Sequence, residues 1–141
     1  MIINGKECEF TNERNILEVI RKNGFNVPTF CYRPDLTKDF GACRMCVVEI
    51  DGRMIQASCT TPPAEGMVVK TNTEKVRSIR KSILELLLAN HDRECTTCDK
   101  SGTCELQKYA EEYGIKDIRY ADREEFLPVD DSSPAIVRDP N

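Results

Sequence analysis

The stretch Phe40-Gly41-Ala42-Cys43-Arg44-Met45-Cys46-Val47-Val48-Glu49-Ile50-Asp51-Gly52 carries the strongest structural signals in this chain of 141 residues. Residues 47–50 are rich in β-branched side chains, which favour a strand. They lead into Asp51-Gly52, a pair typical of tight hairpin turns, and residues 53–58 provide the returning strand. Two cysteines separated by two residues stand just before this hairpin. We therefore expect a β-hairpin with a pair of thiols at its entrance.

The segments around this hairpin predict a small α+β unit. Residues 1–4 and 7–11 read as two strands joined at Asn4-Gly5, another favoured hairpin pair. Residues 12–23 predict a helix, with Asn12 as its N-cap. A further strand is expected at 67–70. The order of strand, strand, helix, hairpin and strand is that of a β-grasp fold, which we assign to residues 1–72.

The hydrophobic period changes to that of a helix from Thr73 onward. The residues expected on its apolar face are Val76, Ile79, Ile83, Leu86 and Leu87, widened by Leu84 and Leu88. The charged residues Arg77, Arg80, Lys81 and Glu85 are assigned to other faces, and the basic ones, with Arg44, to solvated surface. A second helix is expected around Leu106, Tyr109, Ala110 and Tyr113, ended by Gly114. Residues 73–120 therefore predict a small helical domain.

The remaining residues and the overall composition exclude several classes of function. Residues 121–141 contain six acidic side chains and three prolines, which predict an extended acidic tail or linker. The longest apolar run, 86–89, is too short to insert into a membrane, and no basic and apolar leader precedes the fold. The net charge of −4 disfavours nucleic acid as a partner. A cytoplasmic protein is expected, in which disulfides are rare, so the eight cysteines need another role.

Four of the cysteines form a first group. They are Cys31, Cys43, Cys46 and Cys59, with the spacing C-x11-C-x2-C-x12-C. Four thiolates suit either a [2Fe–2S] cluster or a structural zinc ion, and the spacing alone leaves both open. The small residues Gly41 and Ala42 allow backbone amides to approach a sulfur atom and tune a cluster. Structural zinc commonly uses two closely spaced cysteine pairs, whereas this group has one.

The second group combines three cysteines with the one histidine of the chain. It consists of His91, Cys95, Cys98 and Cys104. Three thiolates leave a four-coordinate centre one ligand short, and the histidine stands one turn before them. Iron–sulfur and Cys3His zinc ligation both fit this spacing. Hydroxyl groups at 96, 97, 101 and 103 are expected to serve as hydrogen-bond donors near the sulfurs.

Little in the chain predicts catalysis. The seven glycines are isolated, so no phosphate-binding glycine loop is present, and the single histidine is already assigned to a metal.

Cys8 falls outside both groups and is interpreted as a buried structural cysteine.

The two groups together resemble a known family. The run Phe40 to Cys46, with His91 and the three cysteines after it, is similar to the N-terminal part of NADH-linked [FeFe]-hydrogenase catalytic subunits. It also resembles the large iron–sulfur subunit of respiratory complex I and some NAD-dependent formate dehydrogenases. The stretches 93–99 and 106–110 look most like the electron-bifurcating hydrogenases. The likeness covers nearly all of residues 1–139.

This resemblance implies a function for both groups. By position, Cys31, Cys43, Cys46 and Cys59 would hold a [2Fe–2S] cluster, and His91, Cys95, Cys98 and Cys104 a [4Fe–4S] cluster with histidine ligation. The chain would relay single electrons between a partner NADH-binding flavoprotein and a redox centre of the hydrogenase, complex I or formate dehydrogenase type. Its other partners would be iron–sulfur subunits of the same multi-subunit complex. Family members continue into further clusters, so the chain is expected to be either a fragment or a short relay subunit. The alternative is a zinc-stabilised protein-interaction module.

Overall fold

The computed structural model describes residues 1–38, 40–91, 93–120 and 127–139. A five-stranded sheet occupies the first half of the chain. Its strands are β1 (Ile2–Ile3), β2 (Lys6–Glu7), β3 (Val47–Ile50), β4 (Met54–Ala57) and β5 (Val68–Lys70). Their spatial order is β2-β1-β5-β3-β4, with β1 and β5 parallel and the other neighbours antiparallel. This mixed sheet, with its helices, confirms the α+β prediction.

Both predicted hairpin turns are present. Asn4 and Gly5 have φ of 52° and 86°, and Asp51 and Gly52 have φ of 51° and 68°. Two consecutive positive φ values define the turn type whose twist matches that of the strands it joins. The strand after the first turn is shorter than predicted, because β2 ends at Glu7 instead of continuing to residue 11.

Helix α1 (Ile16–Lys22) begins three residues later than its predicted cap implied. Asn15, not Asn12, is the N-cap, and its side chain accepts a hydrogen bond from the Glu18 amide at 3.0 Å. The first amide of the helix bonds to a segment that is distant in the sequence, because Ile16 N–H donates to the Thr61 carbonyl at 2.9 Å. This long-range partner fixes the start of the helix, and local sequence does not reveal it.

One face of α1 covers the sheet and forms the main core. The residues that are completely buried there include Ile16, Leu17 and Ile20 of the helix and Ile3, Val48 and Val69 of the strands. Cys8 belongs to this core and is buried, as predicted for a structural cysteine. The core therefore holds β3 and β4, and with them the loops at their ends, in a fixed position.

The buried face of helix α2 (Glu74–Ala89) overlaps the predicted one only in part, since Val76 and Leu84 are buried as expected but Leu86 and Leu87 are not. Its buried line runs through Val76, Arg80 and Leu84, together with Glu85. Leu86 and Leu87, expected in the core, are 49% and 36% exposed. The prediction failed at these positions because it assumed that charged residues stay outside, whereas Arg80 donates to the buried Val47 carbonyl and Glu85 accepts from Arg119.

A second, smaller core joins α2 and α3 (Glu105–Glu112) to the loop that precedes β3. Met45, Leu84 and Tyr109 are its buried members. The ring of Tyr109 meets that of Phe30 edge to face, with centroids 5.7 Å apart. Gly114 follows α3 with φ of 61°, as expected for a residue that ends a helix.

The described part of the tail is exposed from residue 128 onward, with one isolated bridge between Asp130 and Arg138. Three of its predicted acidic residues, Asp122, Glu124 and Glu125, lie outside the described residues. No helix within the described ranges has the length and apolar character needed to cross a bilayer.

Candidate metal centres

The β3–β4 pairing brings the first cysteine group together. Val47 stands opposite Ala57, so Cys46, just before β3, lies beside the residues that follow β4. Ser58 fixes this junction, because its amide and its hydroxyl donate to the Cys46 carbonyl at 3.1 and 2.7 Å. Cys46 and Cys59 are each 1% exposed. Two cysteines thirteen positions apart in the sequence are thus placed in one buried corner of the sheet.

The other two cysteines of this group lie closer to solvent. Cys31, in the loop after α1, and Cys43 are both half-buried. The Cys43 amide donates to the Cys31 sulfur at 3.4 Å. This contact is of the kind expected from the small residues before Cys43, where a backbone amide approaches a thiol.

Gly41 is what permits the loop to come this close. Its φ is +58°, and a Cβ atom built there would lie 2.8 Å from the Cγ2 atom of Thr60. Thr60 follows Cys59 directly, so this close approach holds the Cys43 loop against the strand end that carries Cys59. A side chain at position 41 would push the two halves of the site apart.

The thiols of this group act on one another electrostatically. Hydrogen bonding with Cys59 lowers the pKa of Cys46 to about 6. The same contact raises the pKa of Cys59, with burial and the charges of Cys46, Cys31 and Cys43 acting in the same direction. Burial also raises the pKa of Cys31, and the neighbouring Cys43 thiol adds to the rise. Such mutual effects require all four sulfurs to share one neighbourhood.

Within the described ranges, no three Cys, His, Asp or Glu side chains converge tightly enough to hold one metal ion. The first group instead forms two neighbouring pairs, Cys31 with Cys43 and Cys46 with Cys59. A [2Fe–2S] cluster needs two ligands on each of its two irons. The donor set and its division into pairs therefore fit such a cluster.

The second group surrounds a cavity. All four of its predicted ligands, His91, Cys95, Cys98 and Cys104, line one cavity of about 300 Å³. The apolar side chains of Leu88, Leu106, Ala110, Ile115 and Ile118 form the rest of the wall, together with the polar Gln107 and the basic Arg93 and Lys116. A cavity of this size lies at the lower end of the range for small-ligand sites. Its thiols, imidazole and positive charge fit an anionic iron–sulfur group.

The loop that carries these ligands is built from consecutive turns. Amides bond back to carbonyls two or three residues earlier, as in Thr97 to Glu94 at 3.1 Å and Ser101 to Cys98 at 3.0 Å. The hydroxyls expected near the sulfurs serve the turns instead: Thr97 and Thr103 each donate to the carbonyl three residues before them. Cys104 is the N-cap of α3, where the helix dipole favours negative charge.

Sequence reasoning missed three residues around these sites. Ser58, fully buried, fixes the Cys46 backbone, and Met45 packs between the first site and α2 and α3. Arg80 was assigned to solvent but is buried beside Val47, the residue after Cys46. Its position four residues after Val76 and four before Leu84, both apolar, was the available signal.

Comparison with known proteins gives matches to both regions. Residues 1–74 match the family model of the 2Fe-2S iron-sulfur cluster binding domain. Residues 80–119 match the NADH-ubiquinone oxidoreductase-G iron-sulfur binding region. These matches confirm the iron–sulfur prediction at the level of the two regions and leave the individual ligands as predictions.

Curated relatives are much longer than this chain. The NADP-reducing hydrogenase subunit HndD of Solidesulfovibrio fructosivorans is 39% identical over 97% of the chain and 24% of its own length. An NADH-quinone oxidoreductase subunit of Rhizobium meliloti is 39% identical over 99% of the chain and 16% of its own length. The chain thus spans a quarter or less of these relatives.

A solved structure shares the fold as well. It is that of an NAD+-reducing [NiFe]-hydrogenase in the H2-reduced state, and it superposes with a TM-score of 0.80 at 32% identity. The match covers 94% of this chain and 56% of that one. Together with the relatives, it confirms the family resemblance read from the cysteine groups.

Proposed function

Because this chain belongs to the family of 2Fe-2S iron-sulfur cluster binding domains, we propose that it carries single electrons through two iron–sulfur clusters within a larger NAD(P)H-linked oxidoreductase. The observation that supports this most directly is the arrangement of the first four cysteines as two neighbouring thiol pairs. The names of the relatives, which are hydrogenase and NADH-quinone oxidoreductase subunits, support the setting.

We assign the first cluster, [2Fe–2S], to Cys31, Cys43, Cys46 and Cys59. The Cys46 and Cys59 pair is buried, whereas the Cys31 and Cys43 pair is half-exposed. One side of the site is therefore shielded from water and the other faces outward, as an electron-transfer centre requires if it is to exchange electrons with a partner. Ser58 and the Cys43 amide hold the ligands in place.

The second cluster, [4Fe–4S], is assigned to His91, Cys95, Cys98 and Cys104, which line the same cavity. The apolar wall covers one side of the site, whereas Cys98 is exposed, and Arg93 and Lys116 place positive charge near the thiols. A neutral imidazole in place of a thiolate removes one negative charge, which by itself favours the reduced state. When bound, both clusters would supply one-electron oxidation and reduction.

The division of the chain follows from these assignments. Residues 1–72 form the first cluster domain, 73–120 a helical domain for the second cluster, and 121–141 an acidic tail or linker. NADH oxidation is assigned to a partner flavoprotein, since nothing in the chain resembles a nucleotide site. A cytoplasmic location agrees with eight cysteines that are all free.

Anaerobic purification of the full chain tests this proposal. We expect a brown protein with about six irons per chain, the content of one cluster of each type. Reduction should produce two distinct paramagnetic resonance signals. A matched variant, Cys8→Ala, should retain both signals because Cys8 belongs to neither group of predicted ligands, although it shares the main core with Cys46 and Cys59. A colourless protein that contains two zinc ions would instead identify a zinc-stabilised interaction module and overturn the proposal.

A further inference from the structure

Arg80 is the most deeply buried basic residue described at the contact between the sheet and the helices. It is 3% exposed and lies in the middle of α2. One guanidinium nitrogen, Nη2, donates to the Val47 carbonyl at 2.6 Å, and Nη1 donates to the Tyr113 hydroxyl at 3.4 Å. The side chain thus connects the start of β3 with the end of α3.

The charge of Arg80 has no carboxylate to balance it within the described ranges. Both of its hydrogen-bond acceptors are neutral, and its Nε atom is buried with no partner among those residues. The less exposed carboxylates of the neighbouring elements bind other groups: Glu85 pairs with Arg119, and Glu49 accepts from the Thr73 hydroxyl. A buried cation without a counter-charge is strongly unfavourable.

Arg80 contacts the backbone of the segment that carries Cys46. The Val47 carbonyl that Arg80 binds belongs to the residue after Cys46, and consecutive Cα atoms are about 3.8 Å apart. His91 stands eleven positions after Arg80, just beyond the end of α2, which is about 16 Å at the rise of a helix. Arg80 is therefore placed to act on the first site more than on the second.

We propose that Arg80 is a tuning residue, whose buried positive charge is balanced by the thiolate-bound cluster at Cys31, Cys43, Cys46 and Cys59 and favours its reduced form. This inference rests on the proposed function and adds to it the residue that sets the potential of the first centre. Reduction adds one electron and one negative charge to that site. A fixed cation nearby stabilises the reduced state more than the oxidised one, and so raises the reduction potential.

The test is a redox titration of the full, cluster-loaded chain with dithionite as reductant, followed by paramagnetic resonance. Arg80→Gln and Arg80→Met both remove the charge, and Arg80→Met also provides an apolar side chain suited to a buried position. We expect the ratio of reduced to oxidised first cluster, at a fixed potential, to fall about tenfold, which is about 59 mV for a one-electron couple. The second cluster should change less than about threefold.

Three control variants separate charge from structure. Arg77→Gln removes an exposed charge from the same helix and should change the ratio less than about twofold, because solvent screens it. Arg80→Lys keeps the charge, and Tyr113→Phe removes the hydroxyl acceptor while leaving Arg80 in place. In both variants the ratio of reduced to oxidised first cluster, at a fixed potential, should stay within about threefold of that in the parent chain.

The outcomes decide between the tuning role and the proposed function on which it rests. If the first signal is present in Arg80→Gln or Arg80→Met and its potential is unchanged, the tuning role is wrong and the proposed function stands. An equal shift in Tyr113→Phe would show that Arg80 acts only as a structural link, which also overturns it. If the parent chain gives no reducible signal at all, the proposed function itself has failed.

Discussion

The two cysteine groups of this chain are built in contrasting ways. The first group lies in a corner of the sheet, where long-range backbone pairing and a buried serine fix its ligands. The second group lies in a loop whose residues 93–103 are exposed apart from the half-buried Cys95. Short-range turns hold that loop, and Cys98 itself is exposed. The same ligand chemistry is thus supported by tertiary structure in one case and by local structure in the other.

This difference has a consequence for folding. A site whose ligands are positioned by a hydrophobic core can exist before its metal arrives, whereas a loop with few buried contacts has low local stability. Metal binding supplies folding free energy to a site of the second kind. We therefore expect the first site to be preformed and the second to depend on its cluster for order.

Removal of the metal should have the largest effect and should distinguish the two sites most clearly. After anaerobic chelation, amide hydrogen exchange in residues 93–104 should accelerate on the order of a hundredfold, because the loop loses the centre that holds it. Exchange in β3 and α1 should change little, since the apolar side chains of the main core hold these elements in place without a metal. Equal acceleration in both regions would show that the first site also requires its metal to fold.

Replacement of the histidine tests the second site alone. His91→Ala should abolish or alter the paramagnetic signal of the second cluster and leave that of the first intact, because His91 lines the cavity that the second group surrounds. His91→Cys supplies a thiolate at the same position and should restore a cluster, with a lower potential owing to the added negative charge. An unchanged second signal in His91→Ala would remove the histidine from the ligand set.

Gly41→Ala tests how far the first site depends on close packing. The new methyl group meets the Thr60 side chain at a backbone conformation that disfavours any side chain, so we expect a loss of about 1–3 kcal/mol in the free energy of unfolding. The first signal should weaken while the second remains. Gly66→Ala is a matched control, since φ there is also positive but no atom lies within 4 Å of the added carbon. Equal losses in both variants would assign the effect to φ alone.

The smallest expected effect concerns the buried carboxylate of α2. Arg119→Ala leaves Glu85 buried without its partner at 2.6 Å and should lower the free energy of unfolding only slightly, because Arg119 itself is largely exposed. Denaturant titration measures the free energy of unfolding of this variant and of the control Arg33→Ala. In the control, the ion pair of Arg33 with Asp35 is exposed on both sides. A loss in the control as large as that in Arg119→Ala would contradict a special role for the buried partner.

Local sequence signals predicted those parts of the fold that neighbouring residues determine. Asp51-Gly52 and Asn4-Gly5 form their turns because both positions of each pair tolerate positive φ. Helix α3 and its end at Gly114 followed from helical spacing and a glycine stop. The start of α1 did not follow, because the Thr61 carbonyl, far along the chain, determines which amide is the first to be satisfied.

The buried face of α2 shows the limit of periodicity most plainly. Helical spacing predicted an apolar stripe through Leu86 and Leu87, yet both are exposed, and Arg80 and Glu85 are buried. A charged side chain can be buried only where partners exist, and those partners, Val47 and Arg119, lie more than thirty positions away. Spacing along one helix carries no information about them.

The sequence by itself determined the chemistry available to this protein: two sets of four predicted ligands, their spacing, the turns beside them and the family to which they point. These properties depend on residue identity and short-range geometry. The tertiary structure alone decided which thiols become neighbours, which site is enclosed and which is open, and where an unbalanced charge is buried. Those properties arise from contacts between distant segments, whose free energy depends on the whole packed fold and not on any one stretch of the chain.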